Sequence, residues 1–184
     1  MSGLLIVLII VVILLVSFVS IYNGLVKLKV LVKNAFADID VQLKKRHDLV
    51  PNLVETVKGY AAHEKTTLEN VVKARQMAVQ ATGPDDKIKS EGALTQALRQ
   101  LFAVVENYPE LKANENFIML QQQLSNIEEA IQNARRYYNA VVRDYNTRIT
   151  VFPSNAVASM FGFKPEPFFE IGEPTEREAP RVHF

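Results

Sequence analysis

The 184 residues include no cysteine and no tryptophan. The first absence excludes a disulfide scaffold, thiolate metal sites, CxxC redox chemistry and a cysteine nucleophile. The second removes a common membrane-interface anchor and excludes no fold. Seven glycines and eight prolines are too few for a low-complexity chain. Neither sign of charge dominates. Lys and Arg number 21 against 20 Asp and Glu, a net charge of +1. That balance argues against a nucleic-acid binder held by backbone electrostatics. No P-loop, G-x-G-x-x-G or G-x-S-x-G motif occurs. The length suits one ordinary domain.

What the chain does have is apolar surplus, and it is concentrated at one end. Mean hydropathy is +0.03 although 22% of residues are charged. From Leu4 to Ile21 only Ser17 and Ser20 are polar. As a helix this run is about 27 Å long, close to the roughly 30 Å hydrocarbon core of a bilayer. Tyr22 suits the headgroup boundary. A cleaved signal peptide is a poor fit: Met1-Ser2-Gly3 carries no basic residue, the run is too long, and no A-x-A-like site follows. Residues 1–24 are therefore expected to be a transmembrane anchor, with residues 4–21 in the lipid bilayer. Lys27, Lys29 and Lys33 follow the run and no Lys or Arg precedes it. The positive-inside rule then gives a single-pass cell-membrane protein, N-out/C-in, with a cytoplasmic bundle.

The remainder reads as helix throughout. Leu25, Leu28, Val32, Ala35, Ile39 and Leu43 mark one helical face that continues out of the anchor. His47 to Pro51 is expected to interrupt it, because proline removes a donor and crowds the preceding turn. Asp48 would cap a second helix, with Leu53, Val57, Tyr60, Glu64, Leu68, Val71, Arg75 and Ala78 on its seam. Gly59 inside that helix suggests a close helix approach. Thr82 to Asp86 forms a loop. Leu94, Leu98, Leu101, Val105 and Tyr108 line a third helix, stopped by Pro109. Asn114 caps a fourth of about 38 residues, running from Phe117 to near Phe152-Pro153. Ser154-Asn155 would cap a short final helix ending at Gly162. The expected fold class is all-α: an N-terminal transmembrane helix, then an antiparallel four-helix bundle with long coiled-coil-like helices over residues 25–163. Residues 164–184 carry three basic and five acidic residues. They read as an extended Pro/Glu-rich tail, disordered beyond about Ile171.

Catalytic constellations are missing. His63-Glu64 begins like the zinc-protease HExxH, but Thr67 stands where the second histidine belongs. A metal held by His47, Asp48, His63 and Glu64 would need two helices to bring them together. No E-x-x-H occurs, which argues against a di-iron bundle. Glu128-Glu129 and Asp85-Asp86 read as solvated charges. The informative polar residues are those lodged in apolar stripes. Asp38, Asp40, Arg46, His47, Asp48, Asn52, Glu64, Arg75, Arg135 and Arg136 are the candidates for a structural polar network or a partner-binding surface. Glu64 and Arg75 fall on the second seam; Arg135 and Arg136 flank the fourth. The triplet Lys44-Lys45-Arg46 is roughly 35 Å beyond the anchor, too far for ready lipid contact. The pairs Tyr22-Asn23, Tyr138-Asn139 and Tyr145-Asn146 suit helix caps or an amide ladder.

Three stretches carry a family resemblance: IDVQLKKRHDLVPNLVETVKGYAAHE, VENYPELKANENF and RRYYNAVVRDYN followed by FPSN. They resemble the LemA family, from the anchor to about Phe168-Phe169-Glu170; the Pro-rich stretch after that lies outside the resemblance. The resemblance implies a bacterial single-pass membrane protein with an antiparallel four-helix bundle. It implies no catalytic mechanism, so no catalytic residue is carried over. The expected role is a non-enzymatic membrane-anchored scaffold or adaptor. It would work as a homo-oligomer or with a membrane-protein partner, with no cofactor, nucleic acid or identified small-molecule substrate. A membrane-shaping lattice protein is the alternative, and a metal-binding bundle a more distant one.

Overall fold

The computed structural model describes residues 2–169. It is all-α, with six helices and no strand among the described residues. These are α1 (Ser2–Lys58), α2 (Lys65–Gln80), α3 (Pro84–Val105), α4 (Pro109–Lys112), α5 (Glu115–Thr150) and α6 (Ser154–Met160). The described residues form two compact units, 2–39 with 134–168, and 40–133 with 169. Both α1 and α5 contribute residues to each. The tail beyond residue 169, with its expected disorder, lies outside the described residues.

The main departure from expectation is at Pro51. The helix does not break there; α1 runs through it to Lys58. Proline has no N–H for the carbonyl four residues earlier, which belongs to His47. Arg75 fills that gap: its Nε donates to the His47 carbonyl at 2.6 Å. An α2 side chain thus replaces the missing backbone donor, and Asp48 is mid-helix rather than a cap. The chain turns instead at Gly59 to Glu64, so the expected second helix is cut in two. Gly59 is exposed beyond the end of α1, and marks no close helix approach.

In the unit of residues 40–133, one core draws on four helical stretches. Val50, Leu53, Val54 and Val57 come from α1, and Leu68, Val71, Ala74 and Ala78 from α2. Leu94, Ala97, Leu98, Leu101 and Val105 come from α3, and Phe117, Leu120 and Leu124 from α5. Gly83 takes φ +87°, in the left-handed region open to glycine, and Pro84 then opens α3 with its φ already helical. Asp85 and Asp86 face the positive end of the α3 dipole. Pro109 stops nothing that α3 has not already ended; it opens the one-turn α4, whose Leu111 is fully buried. Asn114 caps α5 as expected, its Oδ1 accepting from the Phe117 N–H at 3.0 Å.

In the other unit, α1 presents Leu25, Val32, Ala35 and Ile39 as buried side chains. Tyr138, Val141, Val142, Tyr145 and Ile149 of α5 and Val157 and Ala158 of α6 are buried too. Phe36 and Tyr138 meet edge to face at 5.6 Å. Ser154 lies inside the first turn of α6, and its hydroxyl donates back to the carbonyls of Arg148 and Val151. Gly162 ends α6 at φ +69°, with Gly162 N–H on the Ser159 carbonyl and Phe163 N–H on that of Ala158. That pairing is a Schellman termination. The Tyr-Asn pairs of α5 lie inside the helix and cap neither of its ends. Tyr138 and Tyr145 donate to the carbonyls of Pro167 and Lys164. Asn146 grips Glu166 on both sides, donating to its carbonyl and accepting from its N–H, each at 2.9 Å. Residues 164–167 are therefore bound along α5.

Upstream, Leu4 to Val16 are all substantially exposed, 47–80%. The helix that carries these residues, α1, is long and apolar enough near its N-terminus to cross a membrane.

Candidate functional site

Arg46 is the centre of the unit of residues 40–133. Its position follows from the α1 rhythm, because Ile39, Leu43, Arg46, Val50, Leu53 and Val57 fall three and four residues apart on the buried face. The side chain has no exposed surface. A guanidinium in such a place must find partners. Its Nη2 meets Oε2 of Glu91, itself fully buried. Its Nη1 donates to Glu128 Oε1 at 2.8 Å and to Thr95 Oγ1 at 3.2 Å. Its Nε is buried with no hydrogen-bond partner among the described residues. Glu91 also engages His47: its Oε1 is 2.7 Å from Nε2. Thr95 donates on to the Glu91 carbonyl. Through Arg46, His47, Glu91, Thr95, Glu128 and Arg75, four helices are tied by one polar network.

Burial and the guanidinium charges of Arg46 and Arg75 lower the His47 pKa to about 4. The Asp48 carboxylate pulls the other way and is outweighed. The imidazole is then neutral near pH 7, with Nε2–H donating to Glu91. The two buried or half-buried guanidiniums, Arg46 and Arg75, are balanced by Glu91 and Glu128. An open cavity of about 380 Å³ lies beside His47 and Glu91, reached also by Asp40, Arg75 and Lys87. Lys87 pairs with Asp40 across it at 2.6 Å. Asp48 pairs with Lys44 on the exposed side of α1, which lowers its pKa.

Of the sequence candidates, Arg46, His47 and Arg75 enter the network directly, and Asp40 and Asp48 border its cavity. Glu64 stands apart at the start of α2, where Tyr108 donates to it at 3.2 Å. Asp38 and Asn52 are exposed on α1. Arg135 and Arg136 belong to the other unit, Arg135 buried and Arg136 exposed, so Arg135 is within the seam it was expected to flank. The metal set His47, Asp48, His63 and Glu64 is not assembled. Among the described residues no three His, Asp or Glu side chains are grouped to hold an ion. Glu91, Thr95, Glu128 and Lys87 were not anticipated. Glu91 had a signal, since it opens the α3 stripe Glu91, Leu94, Leu98, Leu101, Val105. Glu128, expected to be a solvated charge, is the second anion on Arg46. Arg46 is itself buried, so the triplet Lys44-Lys45-Arg46 is not a basic surface.

The arrangement suits holding helices in register better than proton transfer. A histidine this depressed is a weak base at neutral pH.

A model of the LemA family matches residues 35–184. The match thus extends through the Pro-rich stretch, which the motif resemblance excluded, and begins after the apolar run, which it included. The chain is similar to the magnetosome proteins MamQ 1 and MamQ 2 of Paramagnetospirillum magneticum. Each is 25% identical over 175 residues, covering 81% of this chain and 64% of the relative. It is similar also to Protein LemA of Metamycoplasma hominis, 25% identical over 146 residues, covering 77% and 65%. The chain spans just under two-thirds of the length of these curated relatives.

Proposed function

The chain belongs to the LemA family, and from that premise we propose a membrane-anchored helical scaffold or adaptor that works by binding, without catalysis. In this reading residues 4–21 cross the bilayer once. Lys27, Lys29 and Lys33 keep the following helices on the cytoplasmic side. Residues 25–163 act as an antiparallel four-helix bundle, and residues 164–184 as a tail. The observation that carries the proposal is the continuity of α1. One helix joins an exposed apolar run to a stretch locked by the Arg46–Glu91 network. Such a helix offers its exposed side chains to a second copy or to a membrane-protein partner. Asp40, Asp48, Arg75 and their neighbours then serve packing, and the exposed Asp38 and Asn52 are available to partners.

Mild crosslinking in native membranes followed by affinity capture of the full-length chain tests this. Discrete oligomers or one recurrent partner are expected. A strictly monomeric, partner-free chain overturns the proposal.

The naming of two of these relatives as magnetosome proteins favours a second reading, a membrane-organising lattice. Vesicles decorated with the protein at high surface density should then change shape; unchanged vesicles count against it.

A further inference from the structure

Two rings from the C-terminal side of α6 pack on the end of the apolar run. The Phe161 centroid is 5.9 Å from Phe18 and 4.6 Å from Tyr22, and Phe163 is 6.1 Å from Tyr22. Phe18 lies three residues before Ile21, the last residue of that run, or roughly 4.5 Å along the helix. With residues 4–21 in the bilayer, a ring stacked on Phe18 is at the depth of the headgroup–acyl boundary. Phe161 nevertheless keeps 49% of its surface exposed, and the adjacent Met160 keeps 71%. Phe152, in the turn before α6, is 86% exposed.

This placement is built in. The Ser154 hydroxyl fixes the start of α6 to the end of α5, and the Schellman turn at Gly162 fixes its end. The charges nearby suit a lipid surface as well. Lys29 lies over the Phe163 ring, 5.7 Å from its centroid. Lys27, and Lys164 beside Phe163 in sequence, are exposed. Aromatic rings and lysines at this level match the composition of a membrane interface with anionic headgroups.

We infer that Met160 and Phe161 form a second membrane contact, with the end of α6 seated in the headgroup–acyl boundary of the leaflet where the anchor emerges. The inference rests on the reading of residues 4–21 as a span. It gives the protein two points on one leaflet, so that α1 cannot turn freely about its own axis.

The sequence has no tryptophan, so a single introduced one reports its own surroundings. Full-length Phe161→Trp, Met160→Trp, Ile13→Trp and Val79→Trp would each be reconstituted in phosphatidylethanolamine–phosphatidylglycerol vesicles. The vesicles would contain lipids brominated either near the headgroup end or near the tail end of the acyl chain. Phe161→Trp and Met160→Trp should emit at blue-shifted wavelengths and be quenched at least twofold more by the shallow bromines than by the deep ones. Ile13→Trp should be quenched most by the deep ones, and the exposed Val79→Trp by neither. If Ile13→Trp is quenched while Phe161→Trp and Met160→Trp emit as in water, the α6 contact is overturned and the span stands. If Ile13→Trp is itself unquenched, the span is overturned and the contact with it.

Discussion

Arg46 shows how much one side chain decides. A buried guanidinium stripped of its carboxylate costs on the order of 3–5 kcal/mol, whereas replacing both partners with apolar groups of similar size is often close to neutral. Urea unfolding of the detergent-solubilised chain should therefore show Glu91→Leu as strongly destabilised. The double variant Arg46→Met with Glu91→Leu should recover much of that loss; additive losses would contradict the pairing. His47 adds a pH dependence. Its folded pKa of about 4 is below the ordinary value of 6.5, so between those values the unfolded chain binds the extra proton. Its contribution to stability is complete above about pH 6.5 and is lost as pH falls toward about 4. His47→Gln should flatten the stability profile across that window relative to wild type; an unchanged profile would show the ring to be solvated. At this scale the sequence revealed Arg46, His47 and Arg75, because charges inside apolar stripes are anomalous. It concealed Glu128, whose neighbour Glu129 made the pair look like ordinary surface.

Elements are set by local rules until a tertiary contact overrides one. Pro51 should end a helix, and α1 passes through it because Arg75 supplies the donor that proline lacks. The override was only half legible: the stripe Ile39, Leu43, Arg46, Val50, Leu53, Val57 runs unbroken across the proline, but no local signal identifies a donor from α2. A double-mutant cycle should bear this out. Arg75→Met is expected to cost about 1–3 kcal/mol, the penalty for an unpaired buried acceptor. It should cost less in a Pro51→Ala background, where the backbone N–H returns. Equal costs in both backgrounds would detach Arg75 from the helix. The α5 face makes a second case. Asn146→Ala removes both bonds to Glu166. The Glu166 amide should then exchange with deuterium much faster, while amides inside α5 keep their protection.

Across the whole molecule, the all-α class and the apolar N-terminal run followed from periodicity and length alone. The pairing of helices did not, since it depends on which buried charges meet. The two are joined in α1, which links the membrane-length run to the Arg46 network, and the proposed scaffold role depends on that link. Crosslinking in native membranes, comparing wild type with Arg46→Met, tests this most directly. The account predicts discrete adducts for wild type. It predicts that Arg46→Met remains in the membrane fraction and loses those adducts, because the anchor persists while the surface it carries does not. A wild-type chain that yields only monomer, or an Arg46→Met variant with an unchanged adduct pattern, would contradict it.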